Sequence, residues 1–494
     1  MDVPQPPVDA GGGACDPTLA HALQSLLSAE LIETHISWIL LAGERAYKLK
    51  KPVRLHFADF STLASRRRLC EAEVALNRRL APGLYLGVLA VLGEPGAPRL
   101  DGEGAAIDYL VAMRRFADDA LLGRRLHAGL LGHAEIDDLA DRLACFHRAA
   151  PPAQSGSPWG RPAAWLRTQR LVLDQLARQG RPEAARLGPW LARQAWALRG
   201  LARARRLLGL VREGHGDLHL DNIAWVDGAA LPFDCIEFDP ALRWIDVMQD
   251  LSFATMDLQA QGRRDLAFRL LDRHLQATGD YAGLPLLPLY EVARALVRAL
   301  AATLAGRREQ ADRYLDWAVA RAEARDAGRA RLVITCGLSG SGKSTAAAGW
   351  LEREGGIRLR SDVERKRCFG LGPLQRSAAA GLDIYTPQAT QQTFSRLRAG
   401  ARAALLAGYP VIVDAAFLRR AERDEFRALA ASLGVPFSIL YCSADADTLR
   451  RRLAQRQAAG ADPSEADESV LQRQLQWIEP LGADEFACVL KHPG

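Results

Sequence analysis

A chain of 494 residues is too long for a single hydrophobic core and implies two or three domains. With 49% hydrophobic and 25% charged residues it has the composition of a soluble globular protein, and no apolar stretch reaches the length of a membrane-spanning helix. A net charge of +6 is modest for this length and reads as a solvated surface, which disfavours a nucleic-acid groove without removing it.

The start, Met1-Asp2-Val3-Pro4-Gln5-Pro6-Pro7, has neither the basic flank nor the apolar segment of a signal peptide, so a cytosolic location with no membrane partner is expected. The eight cysteines are scattered, with no C-x-x-C pair and no zinc-spaced Cys/His cluster, so neither a disulfide framework nor a structural metal is expected. Of 64 basic residues only six are lysine, namely Lys48, Lys50, Lys51, Lys343, Lys366 and Lys491. In an arginine-rich chain a retained lysine is a candidate for a site that wants a compact ammonium.

Residues 1 to about 16 are rich in proline and glycine and are expected to be disordered, with helical periodicity beginning near Leu19. Strand signals follow at His35–Leu41 and Ala46–Lys50 about a turn at 42–45. A charged helix is expected over roughly 62–80, then strands over about 84–92 and 105–115 joined by a turn-rich segment. From about 117 the pattern is helical, broken at 151–158 and by a strand and loop island at 211–240, and continues to about 328. Strands then alternate with helices to residue 494, the pattern of a parallel three-layer α/β unit, with a domain boundary expected near Asp326-Ala327-Gly328.

The island contains His215-Gly216-Asp217-Leu218-His219-Leu220-Asp221-Asn222, the H-x-D-x-x-x-x-N spacing of a phosphotransferase catalytic loop. Phosphoryl transfer needs a carboxylate at the acceptor hydroxyl and oxygen ligands for Mg²⁺ on the triphosphate. Asp217 suits the first role and Asn222 the second. Asp234, in Leu231-Pro232-Phe233-Asp234-Cys235-Ile236-Glu237, stands where a second Mg²⁺ ligand would lie. Upstream, Lys48 fits the strand lysine that grips the phosphates and Glu73 its ion-pair partner, although Lys50 shares the strand face of Lys48.

Downstream, the apolar run Leu332–Cys336 leads into Gly337-Leu338-Ser339-Gly340-Ser341-Gly342-Lys343-Ser344-Thr345, which reads G-x-x-x-x-G-K-S and opens a helix. Strand, glycine-rich turn and helix N-terminus form a phosphate cradle of backbone N–H groups, with Lys343 for the outer phosphates and Ser344 for Mg²⁺. Asp362, at the end of the next strand, is a candidate general base or a helix N-cap, and Arg365 a candidate for holding an anionic acceptor. Asp414 closes the strand Val411-Ile412-Val413 and is the candidate Walker-B acid. Arg452 and Arg456, four apart on a helix, are candidates for clamping phosphate.

On these motifs residues 30–320 resemble the aminoglycoside phosphotransferase-like branch of the protein-kinase fold, which uses H-G-D rather than H-R-D and lacks a D-F-G. The resemblance implies a protein-kinase-like α+β domain over 30–325: a small β lobe, a hinge near Met113-Arg114-Arg115-Phe116 and a helical lobe. It also implies Asp217 as base, Asn222 and Asp234 as metal ligands, and Asp246 and Asp250 as buttresses of the loop. No G-x-G-x-x-G is present; His35-Ile36-Ser37-Trp38 stands in its place. Residues 330–494 look like an AAA_33-type P-loop NTPase domain, close in pattern to polynucleotide kinase, gluconate kinase and zeta-toxin-like enzymes. The pair resembles bifunctional aminoglycoside phosphotransferase/ATP-binding proteins.

The expectation is therefore an ATP- and Mg²⁺-dependent phosphotransferase with tandem nucleotide-binding modules, acting on a hydroxyl of a small molecule such as an aminoglycoside-like compound or a metabolite. Two other readings stay open at this point: a regulatory scaffold whose P-loop unit is the sole ATPase, and a kinase of nucleic-acid 5′ ends. The C-terminal part has no aromatic-plus-basic strip for stacking bases, which weighs against the last.

Overall fold

In the computed structural model, which describes residues 15–54, 59–324, 330–459 and 462–490, the chain divides into two units. One consists of the chain through Gly262 with Leu286–Glu323, the other of Arg263–Pro285 with the chain from Ala324. The proline- and glycine-rich start, the expected boundary at 326–328 and Lys491 lie outside the described residues. No helix among the described residues is long and apolar enough to cross a membrane.

The first unit opens with the helix Thr18–Leu27 and a sheet of six strands: β1 (Glu30–Glu33), β2 (Ser37–Ala42), β3 (Arg45–Lys50), β4 (Tyr85–Glu94), β5 (Ala97–Arg99) and β6 (Ala106–Arg114). Their order is β1-β2-β3-β6-β4-β5, and every neighbouring pair is antiparallel. Alternation along β3 decides the site. Tyr47 and Leu49 turn to the face that packs with Trp38, Leu40 and Leu110 against Ala20 and Leu23 of the first helix. A side-chain period of two sends Lys48 and Lys50 to the other face. There the helix Leu63–Asn77 lies against Tyr85, Val111 and Met113 through Cys70 and Val74. Thr62 caps this helix by accepting the Ser65 N–H at 3.1 Å. β1, mostly exposed and without apolar alternation, has no signature in the sequence, and the short β5 falls within the expected turn.

The rest of this unit is helical around two small strand pairs. β7 (Val211–Glu213) pairs with β10 (Trp244–Asp246), and β8 (Ile223–Val226) with β9 (Ala229–Pro232), both antiparallel. Residues 214–222 lie between β7 and β8, and residues 233–239 follow β9. The helices Val247–Ala260 and Leu287–Leu304 are buried on nearly all sides and form the floor beneath.

The second unit holds a parallel sheet of β11 (Leu332–Cys336), β12 (Ile357–Arg360), β13 (Val411–Asp414) and β14 (Phe437–Tyr441) in the order β12-β13-β11-β14. Its central strands are continuous apolar runs, as both faces are covered. On one face Val333, Ile412 and Leu440 pack with Ala347 and Trp350 of the helix Lys343–Glu354. Since β11 lies between β13 and β14, the chain reverses direction across the sheet beside β11, and the crevice at the strand ends opens there.

The segment 263–285 groups with this sheet, where the sequence reading ran one domain continuously over 30–325. The physical reason is a set of ion pairs. The helix Arg264–Thr278 places Asp272 at 2.7 Å from Arg358 Nη2 on β12, and Arg269 Nη1 at 2.7 Å from Glu352 Oε1. With Asp272 removed, the guanidinium of Arg358 is left buried without its carboxylate. Asp272→Ala should cost the second unit about 3 kcal/mol, read as faster amide exchange across β11 to β13. Unchanged exchange there would refute this grouping.

Candidate active sites

In the first unit the central group is the fully buried carboxylate of Glu73. Its Oε1 accepts from Lys48 Nζ at 2.9 Å and its Oε2 from Lys50 Nζ at 2.5 Å. The lysines then diverge: Lys48 also bonds Asp234 Oδ1 at 2.7 Å, and Lys50 bonds Glu237 Oε1 at 2.5 Å. Lys48 is thus the lysine that links Glu73 to Asp234. Burial alone would push the Glu73 carboxyl up, but the two ammonium groups hold it down at about 2. Burial likewise works against the charge on Lys48, and the carboxylates of Asp234 and Glu73 outweigh it, raising its pKa well above the lysine range.

The loop 214–222 is hung on Asp250. Its Oδ1 accepts the Gly216 N–H at 2.9 Å, and its Oδ2 accepts the His215 N–H at 2.8 Å and meets His147 Nε2 at 3.1 Å. Gly216 has φ +88°, and a Cβ there would sit 2.8 Å from the Leu242 carbonyl oxygen, so the middle residue of His-Gly-Asp must be glycine. Asp246 does different work: Arg205 grips it with Nε at 2.7 Å and Nη2 at 2.8 Å, and it caps the helix Val247–Ala260 through the Met248 N–H.

Asp217 and Asn222 come together at the end of this loop. Asn222 Nδ2 donates to Asp217 Oδ2 and to the Asp217 carbonyl, each at 3.0 Å. His219 Nε2 is 3.4 Å from the same carboxylate oxygen. Burial would raise the Asp217 carboxyl, yet His219, Arg298 and His215 hold it at about 2, so it is ionised at neutral pH. Asp234 has φ +62°, and its N–H donates to the Tyr85 hydroxyl at 3.1 Å. Two further bonds join the loops: Phe233 N–H to the Asn222 carbonyl at 2.9 Å, and His215 Nε2 to the Phe233 carbonyl at 2.8 Å. Sequence reasoning assigned no role to Glu237, Tyr85 or Asn77, whose Oδ1 accepts the Cys235 N–H at 2.8 Å. The acids near Asp234 were the one available signal for Glu237.

In the second unit the phosphate loop 337–342 joins β11 to the helix that begins at Lys343. Gly337 has φ +152° and a Cβ there would strike the Cys442 carbonyl, so the loop turns only with glycine. Lys343 Nζ donates to the Leu338 carbonyl at 2.7 Å, folded over its own loop, and burial lowers its pKa against the pull of Asp414 and Asp362. Ser339 N–H donates to Gln474 Oε1 at 2.8 Å, a partner the sequence did not reveal. Asp414 ends β13, the strand next to β11, with Arg360 Nε 3.4 Å from its Oδ2.

Asp362 lies in the first turn of the helix Ser361–Cys368 rather than at its cap, which is Arg360. Lys343, Ser344, Thr345, Asp362, Asp414 and Arg452 all line one cavity of about 880 Å³. Arg365 and Arg456 line it too, but both are tied: Arg365 Nη1 to the Ile384 carbonyl at 3.1 Å, and Arg456 Nη2 to the Ala466 carbonyl at 2.5 Å. Arg452 Nη1 reaches the Gly340 carbonyl at 3.4 Å.

Residues 332–481 match the AAA domain family AAA_33. Over 478 residues the chain is 30% identical to the Mycobacterium tuberculosis (strain ATCC 25618 / H37Rv) protein described as Uncharacterized protein Rv2004c, covering 94% of this chain and 93% of that protein. The chain belongs to the Rv2004c family. The same identity and coverage hold for Uncharacterized protein MT2060 of M. tuberculosis (strain CDC 1551 / Oshkosh). Because the match runs over both units, their fusion is a property of the family and not of this chain alone.

Among solved structures, a choline/ethanolamine kinase family protein from Mesorhizobium loti is 13% identical, covering 62% of this chain and 96% of that one, with a TM-score of 0.38. The GDP complex of wild-type aminoglycoside 2'-phosphotransferase-IIIa is 13% identical, covering 61% and 97%, with a TM-score of 0.36. A gluconokinase from Sinorhizobium meliloti 1021 is 19% identical, covering 32% and 80%, with a TM-score of 0.25. The chain thus joins an α+β unit, in which Lys48, Glu73 and Asp234 are bonded beside the pair Asp217–Asn222, to a unit that matches AAA_33.

The Glu73 clamp sets an acid limit. A carboxyl lowered from 4.5 to about 2 contributes stability that is fully present above 4.5 and is lost as the pH falls toward 2. In urea denaturation between about pH 5 and about pH 3, the unfolding free energy should fall with acidity and should fall less steeply in Glu73→Gln. Equal slopes would contradict the clamp.

Proposed function

We propose that this protein is a Mg·ATP-dependent phosphotransferase with two nucleotide sites, the first of which phosphorylates a hydroxyl of a small molecule. The observation that carries the reading is the assembly of Lys48, Glu73 and Asp234 in one bonded chain, beside the bonded pair Asp217–Asn222. Asp217 is buried, ionised and oriented by Asn222, the state required of a group that accepts the acceptor's hydroxyl proton. In the transfer the acceptor oxygen bonds the γ-phosphorus, the bond to the β-bridging oxygen breaks, ADP leaves, and the hydroxyl proton passes to Asp217. Lys48, held by Glu73, places a fixed positive charge for the α and β phosphates.

The donors fit a hard cation. The buried Oδ1 of Asn222 has no hydrogen-bond partner among the described residues, and Oδ2 of Asp414 has none either, with Arg360 Nε 3.4 Å from it. No group of three or more His, Cys, Asp or Glu suited to a metal occurs among the described residues, so phosphate oxygens and water would complete the coordination. Asn222 with Asp234 would hold Mg²⁺ in the first unit, Ser344 with Asp414 in the second. When bound, the ion offsets the negative charge of the phosphates.

In the second unit the loop amides and Lys343 would hold the triphosphate, with Asp362 facing an acceptor hydroxyl across the same cavity. Arg452, on the wall of that cavity, would meet the transferring group, and Arg456 would do so on leaving the Ala466 carbonyl.

Full-length protein screened for acceptor-dependent ADP release against hydroxylated metabolites and antibiotics should give a turnover that Asp217→Asn lowers by about 10²- to 10⁴-fold. Lys343→Ala should leave that turnover in place. Acceptor-dependent turnover indifferent to Asp217→Asn would remove the reading.

A further inference from the structure

Asp217 lines a second cavity, of about 590 Å³, enclosed within the first unit between the helix Pro162–Arg178, the loop after β9 and the helix Leu287–Leu304. Its walls are largely apolar and aromatic, with Trp165 set edge-on to Tyr290 at a centroid distance of 5.7 Å. Among its polar side chains, three carry buried atoms without partners among the described residues. Nε and Nη2 of Arg294 have no hydrogen-bond partner among the described residues, although the side chain is only 7% exposed. The indole Nε1 of Trp165 and the amide Oε1 of Gln169 are likewise unbonded.

The acids of the same cavity are in a different condition. Arg205 holds Asp246 by two hydrogen bonds, Asn222 holds Asp217, and Asp239 accepts the Ala241 N–H at 2.8 Å. Arg161 and Arg167 add exposed positive charge at the rim. A buried guanidinium with open N–H groups is costly unless something pairs with it. The charges of Asp250 and Asp217 and the ring of Phe253, 4.7 Å from the Arg294 Cζ, favour the cation, but none of them hydrogen-bonds its Nε or Nη2.

We propose that this cavity binds the phosphate acceptor and that Arg294 recognises an anionic group on it, so that the substrate is a hydroxylated, largely apolar carboxylate or phosphate ester, not a polycationic aminoglycoside. The inference rests on the reading of Asp217 as the group that faces the acceptor hydroxyl. Arg294 supplies a planar fork for the anion. Trp165 Nε1 adds a donor, Gln169 Oε1 accepts a hydrogen bond from a hydroxyl, and the aromatic walls cover the apolar body. A cationic ligand would meet an unpaired guanidinium in the interior, a like-charge contact in a low dielectric.

The test uses full-length protein and calorimetry with matched triads of hydroxylated aromatic and aliphatic compounds, each as carboxylate, carboxamide and amine, beginning with para-(hydroxymethyl)benzoate, its amide and para-(hydroxymethyl)benzylamine. Glycerol phosphate and inorganic phosphate separate a phosphate ester from a free anion. The carboxylate or phosphate member should bind roughly 10-fold or more tighter than its neutral and cationic partners. Arg294→Met should abolish that preference and Arg294→Lys should keep part of it. Because the guanidinium is unpaired in the free protein, Arg294→Met should melt no lower than the parent.

Four results would overturn the proposal: amines or amides binding as well as the anions, no anion of the panel binding at millimolar concentration, a preference that survives Arg294→Met, or a melting temperature several degrees lower in that variant. Asp217→Asn keeps this outcome apart from that of the proposed function. Anion preference retained in Asp217→Asn with unchanged turnover would sink the catalytic reading and leave the anion site standing.

Discussion

One carboxylate, that of Glu73, holds the first unit in order. It is fully buried, and no solvent compensates its charge. An ionised carboxylate in such a place survives only with close partners, and it has two, Lys48 and Lys50. Each ammonium, itself buried, needs a second anion, which Asp234 and Glu237 supply from the loop after β9. A single charge therefore ties strand, helix and loop into one arrangement. Removing any member leaves another ion stranded, so the group persists as a whole. The two lysines share a face because the sheet has a period of two, and that face meets the helix Leu63–Asn77 because the other is filled by the first helix.

In the proposed reading the two units would hold phosphate by different means. In the first, charged side chains from separate elements converge, and backbone hydrogen bonds to Asp250 keep the loop 214–222 in shape. In the second, the loop's own N–H groups and the start of the helix at Lys343 would form the cradle, with few side chains needed. This contrast explains which glycines matter. Gly216 lets its loop pass under the Leu242 carbonyl, and Gly337 lets the start of the phosphate loop pass against the Cys442 carbonyl.

Much of this was legible in the sequence because it is local. The phosphate loop, the H-G-D-L-H-L-D-N run and the acids at strand ends each occupy fewer than about ten residues, and spacing alone carries their chemistry. The strand lysine was ambiguous between Lys48 and Lys50, since only the third-dimension partners, Asp234 and Glu237, tell them apart. Features that depend on distant chain were not legible. Tyr85 and Asn77 look like ordinary strand and helix residues until the loop at 233–239 is laid against them. Arg294 is one arginine in a buried helix, and the open state of its Nε and Nη2 appears only when the surrounding walls are known. The helix Arg264–Thr278 reads as a continuation of its helical neighbours, and ion pairs with Arg358 and Glu352 assign it to the parallel sheet.

The central claim is that one chain holds two separate nucleotide sites of different construction. Calorimetric titration of the full-length protein with a non-hydrolysable ATP analogue and Mg²⁺ tests it most directly. The account requires two binding events, one abolished by Lys48→Met alone, the other by Lys343→Ala alone, and none left in the double variant. A single binding event, or binding that persists when both lysines are replaced, would contradict it.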